Sequence, residues 1–273
     1  MKTALTIAGS DSSGGAGIQA DIKTFQAHGV FAMSAITAVT VQNTQGVYAI
    51  QAMDPEIVRG QIECLFADIE IHAVKIGMVA SVPLIETIAR SLGARIGPPS
   101  VLDPVMISKS GYPLLEKDAR AALITHLFPL AEVVTPNLHE AEALTGQRVS
   151  GLADMREAAQ RIQDLGARKV VVKGGHLAAD AIDILYDGRE FKELKGRRIQ
   201  TGNTHGTGCT FSSAVAANLA LGQDFFEAVT RAKAYITGAI AHALALGKGH
   251  GPTHHFFELY SRAGLERGVD EQE

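Results

Sequence analysis

The chain has neither a long apolar run nor a concentration of charge of one sign. Its 273 residues carry 25 lysines and arginines against 29 aspartates and glutamates, a formal net charge of −4. No run of lysine and arginine is longer than a pair such as Arg197-Arg198, and a nucleic-acid partner is therefore disfavoured. No stretch approaches the roughly 20 apolar residues that cross a bilayer, so we expect no membrane partner.

Cysteine is scarce as well. The chain has two, Cys64 and Cys209, far apart in the sequence. They form no disulfide framework, which is typical of a protein in a reducing compartment. The N-terminal apolar stretch turns into Gly9-Ser10-Asp11 too soon for a signal peptide. We therefore expect a cytoplasmic protein.

Short apolar segments alternate with helical patterns along the chain. The strand-like segments are 4–8, 32–41, 73–76, 100–102, 133–135 and 170–172, and the helical patterns are 17–27, 55–68, 82–92, 116–128, 138–144, 152–165, 210–221 and 225–246. Runs that are apolar on both faces are typical of buried parallel strands. The alternation predicts an α/β fold in which helices cover both faces of a mostly parallel sheet.

The segment 184–191 contains Asp187-Gly188 between apolar residues. This pattern predicts a two-residue hairpin turn and a small antiparallel edge of the sheet. No linker, repeat or low-complexity segment divides the chain. We therefore expect a single domain over residues 1–273, with residues 262–273 as a frayed end.

Small and polar residues follow each predicted strand. In an open α/β sheet, ligands bind beyond the carboxyl ends of the strands. Any one of these residues fits an ordinary loop, but together they predict a ligand site. They are the glycine-rich segment 9–17, Gln42-Asn43, Gly77-Met78, Asp103-Pro104-Val105, Asn137 with Glu140, and Lys173-Gly174-Gly175.

The segment Gly206-Thr207-Gly208-Cys209 precedes a strong helix-forming run. A glycine turn at a helix N-terminus presents unpaired N–H groups and the positive end of the helix dipole, an arrangement that binds anions. A thiol there is expected to ionise below its free pKa of about 8.5, which makes Cys209 a candidate base. The segment alone fits equally well a tight, capped turn with a small buried cysteine.

Three carboxylates need explanation. Asp21 falls on the otherwise apolar face of the first helix, where it either contacts a ligand or interacts with the helix dipole. Asp103 and Glu140 could hold Mg²⁺ through water, with Asn137 orienting the shell. Glu140 is also consistent with a charge on a helix surface.

The basic residues are ambiguous in the same way. Lys173 ends an apolar strand and either faces a phosphate or extends its ammonium to solvent. Lys233, between two alanines, is more typical of a solvated helix.

The three histidines near the C-terminus lack the spacing and the companion ligands of a metal site, and we interpret them as part of a polar loop: His250, His254 and His255.

Seven segments together resemble a known family. They are 8–21, 42–44, 75–78, 102–106, 135–141, 172–176 and 203–213. On these motifs the chain resembles the ribokinase-like superfamily, and within it the hydroxymethylpyrimidine/phosphomethylpyrimidine kinases of thiamine biosynthesis, from about residue 4 to residue 257. The resemblance implies a three-layer α/β/α sandwich, the substrates ATP and hydroxymethylpyrimidine, the cofactor Mg²⁺ and a homodimer.

The resemblance also implies a role for each motif. The pyrimidine would be contacted by Asp21 and Gln42 and enclosed by Gly9, Met78 and Val105. The nucleotide would be bound by Lys173, Thr204 and Lys233, and Mg²⁺ by Asp103, Asn137 and Glu140. The anion hole would be formed by Gly206, Thr207 and Gly208. Cys209 would be the catalytic base, in the position where sugar kinases of the superfamily have aspartate.

Two other functions are compatible with the sequence. A pyridoxal kinase of the same branch would also phosphorylate a CH₂OH group on a heteroaromatic ring, although the donors and acceptors of Gln42 favour the aminopyrimidine. A non-catalytic binding protein could share the fold. The combination of Asp103, Lys173 and the Cys209 segment argues against it, because binding alone needs neither a base nor a metal site.

Overall fold

The computed structural model describes residues 1–93, 97–108, 110–116, 118–175 and 181–265. His176 of the sixth motif and most of the predicted frayed end, from residue 266, lie outside these ranges. The described residues form one sheet in the order β3-β2-β1-β4-β5-β6-β7-β8-β9. The strands are β1 (Thr3–Ser10), β2 (Phe31–Asn43), β3 (Gly46–Ala52), β4 (Ala73–Ile76), β5 (Ser100–Leu102), β6 (Val133–Val134), β7 (Lys169–Val172), β8 (Ala181–Tyr186) and β9 (Phe191–Gly196).

The six central strands, from β2 to β7, run parallel to one another. Antiparallel strands flank them on both sides, β3 at one edge and β8 with β9 at the other. The prediction of a mostly parallel sheet with an antiparallel edge is confirmed. Because the parallel strands all end on one side, the loops that follow them meet along a single edge of the sheet.

The helices connect these strands and cover the sheet. Their bounds are α1 (Gly17–Ala27), α2 (Pro55–Asp68), α3 (Val82–Gly93), α4 (Ala119–Ala122), α5 (Leu138–Thr145), α6 (Leu152–Asp164), α7 (Thr207–Ala220), α8 (Phe225–Ala241) and α9 (Phe257–Arg262). The predicted helix 116–128 is interrupted, because α4 passes into a π-helical turn at Leu123–Leu127 and a 3₁₀ turn at Phe128–Leu130. The last long helix ends at Ala241, five residues before its predicted end.

Two apolar cores lie on opposite faces of the sheet. One contains Ile62 of α2, Ile85 of α3 and Ile162 of α6. The other contains Phe25 of α1 and Val215 of α7. The three-layer arrangement is therefore confirmed. Successive residues of a strand point to opposite faces, which allows the buried strands to be apolar on both sides.

Two features of the strands also differ from the sequence prediction. β3 was not predicted, because an edge strand with exposed residues such as Tyr48 has no continuous apolar pattern. The predicted two-residue hairpin is wrong: Tyr186 pairs with Phe191, which leaves four residues in the turn. The carboxylate of Asp187 accepts the N–H groups of Arg189 and Glu190 and stabilises this longer turn. Within the described ranges, no helix is long and apolar enough to cross a membrane.

Candidate active site

The N-termini of α1 and α7 lie side by side at the carboxyl edge of the sheet. Gly206 is the N-cap of α7 and has φ +77°, in the left-handed region that favours glycine. A Cβ atom at Gly206 would collide with the carbonyl oxygen of Gly15. The predicted anion-hole segment is thus a close approach between two glycine loops, with Thr207, Gly208 and Cys209 forming the first turn of α7.

The carboxylate of Asp11 organises the first glycine loop. It accepts the backbone N–H groups of Ser13, Gly15 and Ala16, and it also pairs with the His205 ring, 2.8 Å from Nε2. Burial opposes ionisation of Asp11, but the hydrogen bonds from His205 and Ser13 outweigh it and lower the pKa to about 2. Asp11 therefore holds the loop of α1 against the loop of α7.

The sequence analysis missed Asp11 and His205 as functional candidates. They are separated by 194 residues in sequence number, and no local pattern pairs them. An aspartate ahead of a Ser/Gly-rich segment is, however, a recognisable signal for a carboxylate that caps a loop.

The predicted pyrimidine pocket lies beside this loop. The amide nitrogen of Gln42 is 3.3 Å from the ring nitrogen Nε2 of His205. Gly9 and Met78 are neighbours, since a Cβ at Gly9 would lie 3.2 Å from the Met78 sulfur. Val105 is partly exposed and donates its N–H to the carbonyl of Asp103.

Asp21 does not face this pocket. It is fully buried, and its two carboxylate oxygens bond the Lys75 ammonium at 2.8 and 2.9 Å. The same oxygens accept the hydroxyls of Thr6 and Ser213 at 2.6 and 2.7 Å. The protein's own donors surround the carboxylate in this structure, and the predicted contact with the pyrimidine stays a prediction.

A second lysine–carboxylate pair faces the first turn of α7. The Lys173 ammonium lies 2.9 Å from Asp103 Oδ1, and the Ser212 hydroxyl lies 3.3 Å from Asp103 Oδ2. A Cβ at Gly208 would come within 3.4 Å of the same carboxylate and 3.6 Å of the Lys173 ammonium. The predicted anion hole, Asp103 and Lys173 therefore meet at one point.

Asn137 and Glu140 form a capping box at the start of α5. The Asn137 side chain accepts the N–H of Glu140 at 2.9 Å, and the Glu140 carboxylate accepts the N–H of Asn137 at 2.7 Å. Burial and the nearby Asp103 raise the pKa of Glu140 to about 7, against the opposing effect of Lys173. Glu140 is therefore a buried member of the site and not a charge on a helix surface.

The donor set fits Mg²⁺ in a limited way. Asp103 and Glu140 supply carboxylate oxygens, the hard ligands that Mg²⁺ prefers. Among the described residues, no group of three or more His, Cys, Asp or Glu side chains could hold a metal ion. Since Mg²⁺ usually keeps several waters and binds through one or two carboxylates plus substrate phosphates, these residues fit an ion that arrives with a nucleotide.

The comparisons with known proteins identify the family of this chain. The family model described as phosphomethylpyrimidine kinase matches residues 11–254. The chain belongs to this family. It is 52% identical over 257 residues to the hydroxymethylpyrimidine/phosphomethylpyrimidine kinase of Rhizobium meliloti (strain 1021), covering 93% of this chain and 96% of the relative.

Solved structures extend the similarity. The ADP complex of Bacillus subtilis pyridoxal kinase superposes with a TM-score of 0.88 at 43% identity, over 94% of this chain and 98% of that one. Phosphomethylpyrimidine kinase from Clostridium difficile 630 gives a TM-score of 0.79 at 48% identity, over 88% and 100% of the two chains. The ribokinase-like fold is shown, and the family identifies the chain as a kinase.

In this kinase the Cys209 thiol differs from the expectation for a helix N-terminus. Burial raises its pKa to about 11; Lys75 opposes this effect, and Asp21 and Asp103 add to it. The prediction of an easily ionised thiol is therefore wrong for the free protein. Desolvation and two carboxylates outweigh the helix dipole, although Cys209 lies in the first turn, where the dipole acts.

The other residues predicted to bind the nucleotide, Lys233 and Thr204, contact other residues of the protein. The Lys233 ammonium bonds Asp183 at 2.7 Å and the carbonyl of Ala181 at 3.0 Å, so it is not a solvated helix residue. The other Asp183 oxygen accepts the N–H of Gly174, next to Lys173. The Thr204 carbonyl accepts the Thr207 hydroxyl at 2.8 Å. Lys233 and Thr204 thus stabilise segments that meet at the anion hole.

The C-terminal histidines have separate partners. His255 contacts the Thr210 hydroxyl at 3.0 Å, and burial lowers the pKa of its ring to about 3. The His250 ring bonds the carbonyl of Gly202 at 2.8 Å. The backbone N–H of His254 bonds the carbonyl of Ala239. These contacts attach the loop after α8 to the body of the kinase.

Proposed function

We propose that the protein uses ATP to phosphorylate 4-amino-5-hydroxymethyl-2-methylpyrimidine to its monophosphate, and then the monophosphate to the pyrophosphate, in thiamine biosynthesis. The observation that carries the proposal is the meeting of the α7 first turn, the Lys173–Asp103 pair and Cys209 at one point. Phosphoryl transfer depends mostly on positioning and on charge stabilisation, and this arrangement supplies both.

The anion hole and Lys173 would bind the transferred phosphoryl group. The N–H groups of Gly206, Thr207, Gly208 and Cys209 would stabilise the charge that develops on it. Lys173 would exchange its contact with Asp103 for one with a phosphate oxygen. Thr204 and Lys233 would support the nucleotide by holding neighbouring segments. Mg²⁺, held by Asp103 and Glu140 with Asn137 behind them, would neutralise the phosphates.

Cys209 would lie next to the attacking alcohol. In the first reaction, the alcohol oxygen bonds the γ-phosphorus, the bond from this phosphorus to the leaving ADP breaks, and the alcohol proton must leave. In a loose transition state that proton leaves late, and Cys209 would accept it, once ionised in the complex, or help to orient it. The monophosphate is already an anion near neutral pH, so the second reaction needs no base.

The pyrimidine would occupy the pocket of Gly9, Gln42, Met78 and Val105. Gln42 would match the donors and acceptors of the ring, while Asp21 would support the pocket from below. We further propose a single-domain homodimer in the cytoplasm, which binds small molecules and neither nucleic acid nor membrane. The family resemblance and the low cysteine content support this part of the proposal.

The test is the mass of the product after incubation with the hydroxymethylpyrimidine and Mg-ATP. Addition of one and then two phosphoryl groups is the expected result. A pyridoxal kinase is the second candidate, because the chain is 43% identical to a pyridoxal kinase that it covers almost completely. Phosphorylation of pyridoxal alone would establish that alternative, and the absence of ATP turnover with either alcohol would indicate a binding protein.

A further inference from the structure

The side-chain amide of Gln42 lies between two polar partners. One terminal atom of the amide is 3.3 Å from Nε2 of His205, and the other is 3.2 Å from the hydroxyl oxygen of Thr40. The oxygen and the nitrogen of an amide have nearly the same shape, so the hydrogen-bond partners decide which of them faces which neighbour. A ring that binds against Gln42 meets a fixed order of donor and acceptor only if these partners fix the amide.

The His205 ring carries a proton on Nε2. This nitrogen is 2.8 Å from Oδ2 of Asp11, and the Asp11 carboxylate accepts four further hydrogen bonds from the loop that follows it. A carboxylate that accepts several N–H groups is ionised near neutral pH and offers only lone pairs. The ring nitrogen is therefore the donor, and a nitrogen that donates cannot also accept a hydrogen from Gln42.

The Thr40 hydroxyl supports the same orientation from the other side. It has one hydrogen, and it lies 3.0 Å from the carbonyl oxygen of Ser10. An amide oxygen facing Thr40 would compete with Ser10 for this hydrogen. With the amide nitrogen facing Thr40, the hydroxyl donates to Ser10 and accepts from Gln42. The His205 proton is then shared between Asp11 and the Gln42 oxygen, in a three-centre arrangement, and every group has a partner.

Packing and backbone contacts hold the His205 ring in place. The residue is 7% exposed, and a Cβ atom at Gly15 would collide with the ring. The backbone N–H of His205 donates to the carbonyl of Gly251, and its own carbonyl accepts the N–H of Thr253. The ring is thus fixed between the loop of α1 and the segment after α8, and its proton stays directed at Asp11 and Gln42.

We propose that His205, oriented by Asp11, is a positioning residue that holds the Gln42 amide with its oxygen toward His205 and its nitrogen toward Thr40, and thereby sets the ring specificity of the kinase. This proposal rests on the proposed function. One lone pair of the amide oxygen and one hydrogen of the amide nitrogen remain for the substrate. The 4-amino group and N3 of the aminopyrimidine form the complementary pair of donor and acceptor.

A ring with the opposite order of donor and acceptor would require the amide to turn. The His205 proton would then face an N–H group, and the Thr40 hydrogen would again have two acceptors. A buried donor that loses its acceptor lowers the stability of the complex. The structure therefore assigns to His205 the rejection of such rings as well as the acceptance of the aminopyrimidine.

The first test needs no substrate and no variant. Neutron diffraction from crystals of the deuterated protein distinguishes nitrogen from oxygen and locates deuterium atoms. We expect a deuterium on Nε2 of His205 and the ND₂ group of Gln42 next to Thr40. A bare Nε2, or an ND₂ group next to His205, would overturn the proposal.

The second test compares two ligands with opposite orders of donor and acceptor. In the aminopyrimidine the 4-amino group donates and N3 accepts, whereas in 5-hydroxymethyl-2-methylpyrimidin-4(3H)-one O4 accepts and N3–H donates. Calorimetry gives the ratio of the two dissociation constants for the parent and for three variants. His205→Leu removes the ring proton, and His205→Gln keeps an N–H donor. His250→Leu is the control, because the His250 ring bonds the carbonyl of Gly202 instead.

We expect the preference for the aminopyrimidine to fall by about tenfold in His205→Leu, chiefly through tighter binding of the pyrimidinone, because turning the amide no longer leaves a donor unpaired. His205→Gln and His250→Leu should keep the parent ratio. A purely structural role of His205 would weaken both ligands equally. The parent ratio in His205→Leu, or an equal fall in His250→Leu, would overturn the proposal. If the parent binds neither ligand, the proposed function fails, and the neutron map still decides the orientation of Gln42.

Discussion

The amino ends and the carboxyl ends of the parallel strands, which form the amino edge and the carboxyl edge of the sheet, carry similar lysine–carboxylate pairs in very different surroundings. At the amino edge, Lys169 pairs with Glu132 at 2.7 Å, and both side chains keep about a quarter of their surface exposed, 29% and 24%. At the carboxyl edge, Lys75 pairs with Asp21 at 2.8 Å, and both are 0% exposed. The same chemical pair is thus a surface contact at one edge and a buried element of the site at the other.

The comparison shows where in this fold an unpaired charge would lower the stability most. A partly exposed pair contributes little to stability, because water solvates both charges in its absence. A buried pair must satisfy every donor and acceptor, and Thr6 and Ser213 complete the shell of Asp21. A pair of charges maintained in the interior of the described structure is typical of a functional site.

The largest expected difference is in stability. Lys75→Met leaves Asp21 buried without its cation, and we expect the free energy of unfolding to fall by about 3–5 kcal/mol. Lys169→Met should cost at most about 1 kcal/mol. Urea denaturation of both variants measures the two values. Equal losses of unfolding free energy in the two variants would contradict the difference between the buried pair and the partly exposed pair.

Cys209→Ala tests the chemistry of the carboxyl edge. We expect the first phosphorylation to slow by about 10²-fold or more, because the alcohol loses its proton acceptor. The second phosphorylation should survive, since its nucleophile is already an anion. Separate assays on the pyrimidine and on its monophosphate measure both rates. Small and equal effects on the two steps would remove Cys209 from the mechanism.

Lys173→Met tests the phosphate contact. We expect kcat/KM for ATP to fall by about 10²-fold, as for loss of one electrostatic contact to a developing charge. The Lys169→Met variant, which removes a lysine at the other end of the same strand, should keep the parent value. Steady-state kinetics at varied ATP concentration give both numbers, and an unchanged kcat/KM for Lys173→Met would contradict the assignment.

Asp11→Asn tests the loop carboxylate through the dependence of stability on pH. The pKa of Asp11 falls from 3.8 to about 2 on folding, so ionised Asp11 stabilises the fold above pH 4. This contribution, about 2 kcal/mol, disappears as the pH falls toward 2. The variant should lose the stability difference between pH 5 and pH 2 that this group provides. Unfolding at both pH values checks it, and an unchanged difference would contradict the role of Asp11.

The sequence predicted the parts of the site that lie next to regular elements. The polar residues after β5 and β7 follow apolar runs, and for this reason the pattern of the chain alone places Asp103 and Lys173 at a common edge. Glu140 was predicted with an alternative on the helix surface, and its capping box with Asn137 resolved the choice. β3 gave no such pattern, because its side chains are largely exposed.

The sequence by itself determined the alternation of the parallel strands with helices and the glycine turn before α7, since these depend on local patterns of apolar and small residues. Only the tertiary structure decided the chemical state of the groups in the site. It placed Asp21 against Lys75, brought His205 to Asp11, and raised the pKa of Cys209 to about 11 where the local motif predicts a lower one. The physical reason is that burial and neighbouring charges set a pKa, and in this kinase those neighbours come from elements far apart in the chain.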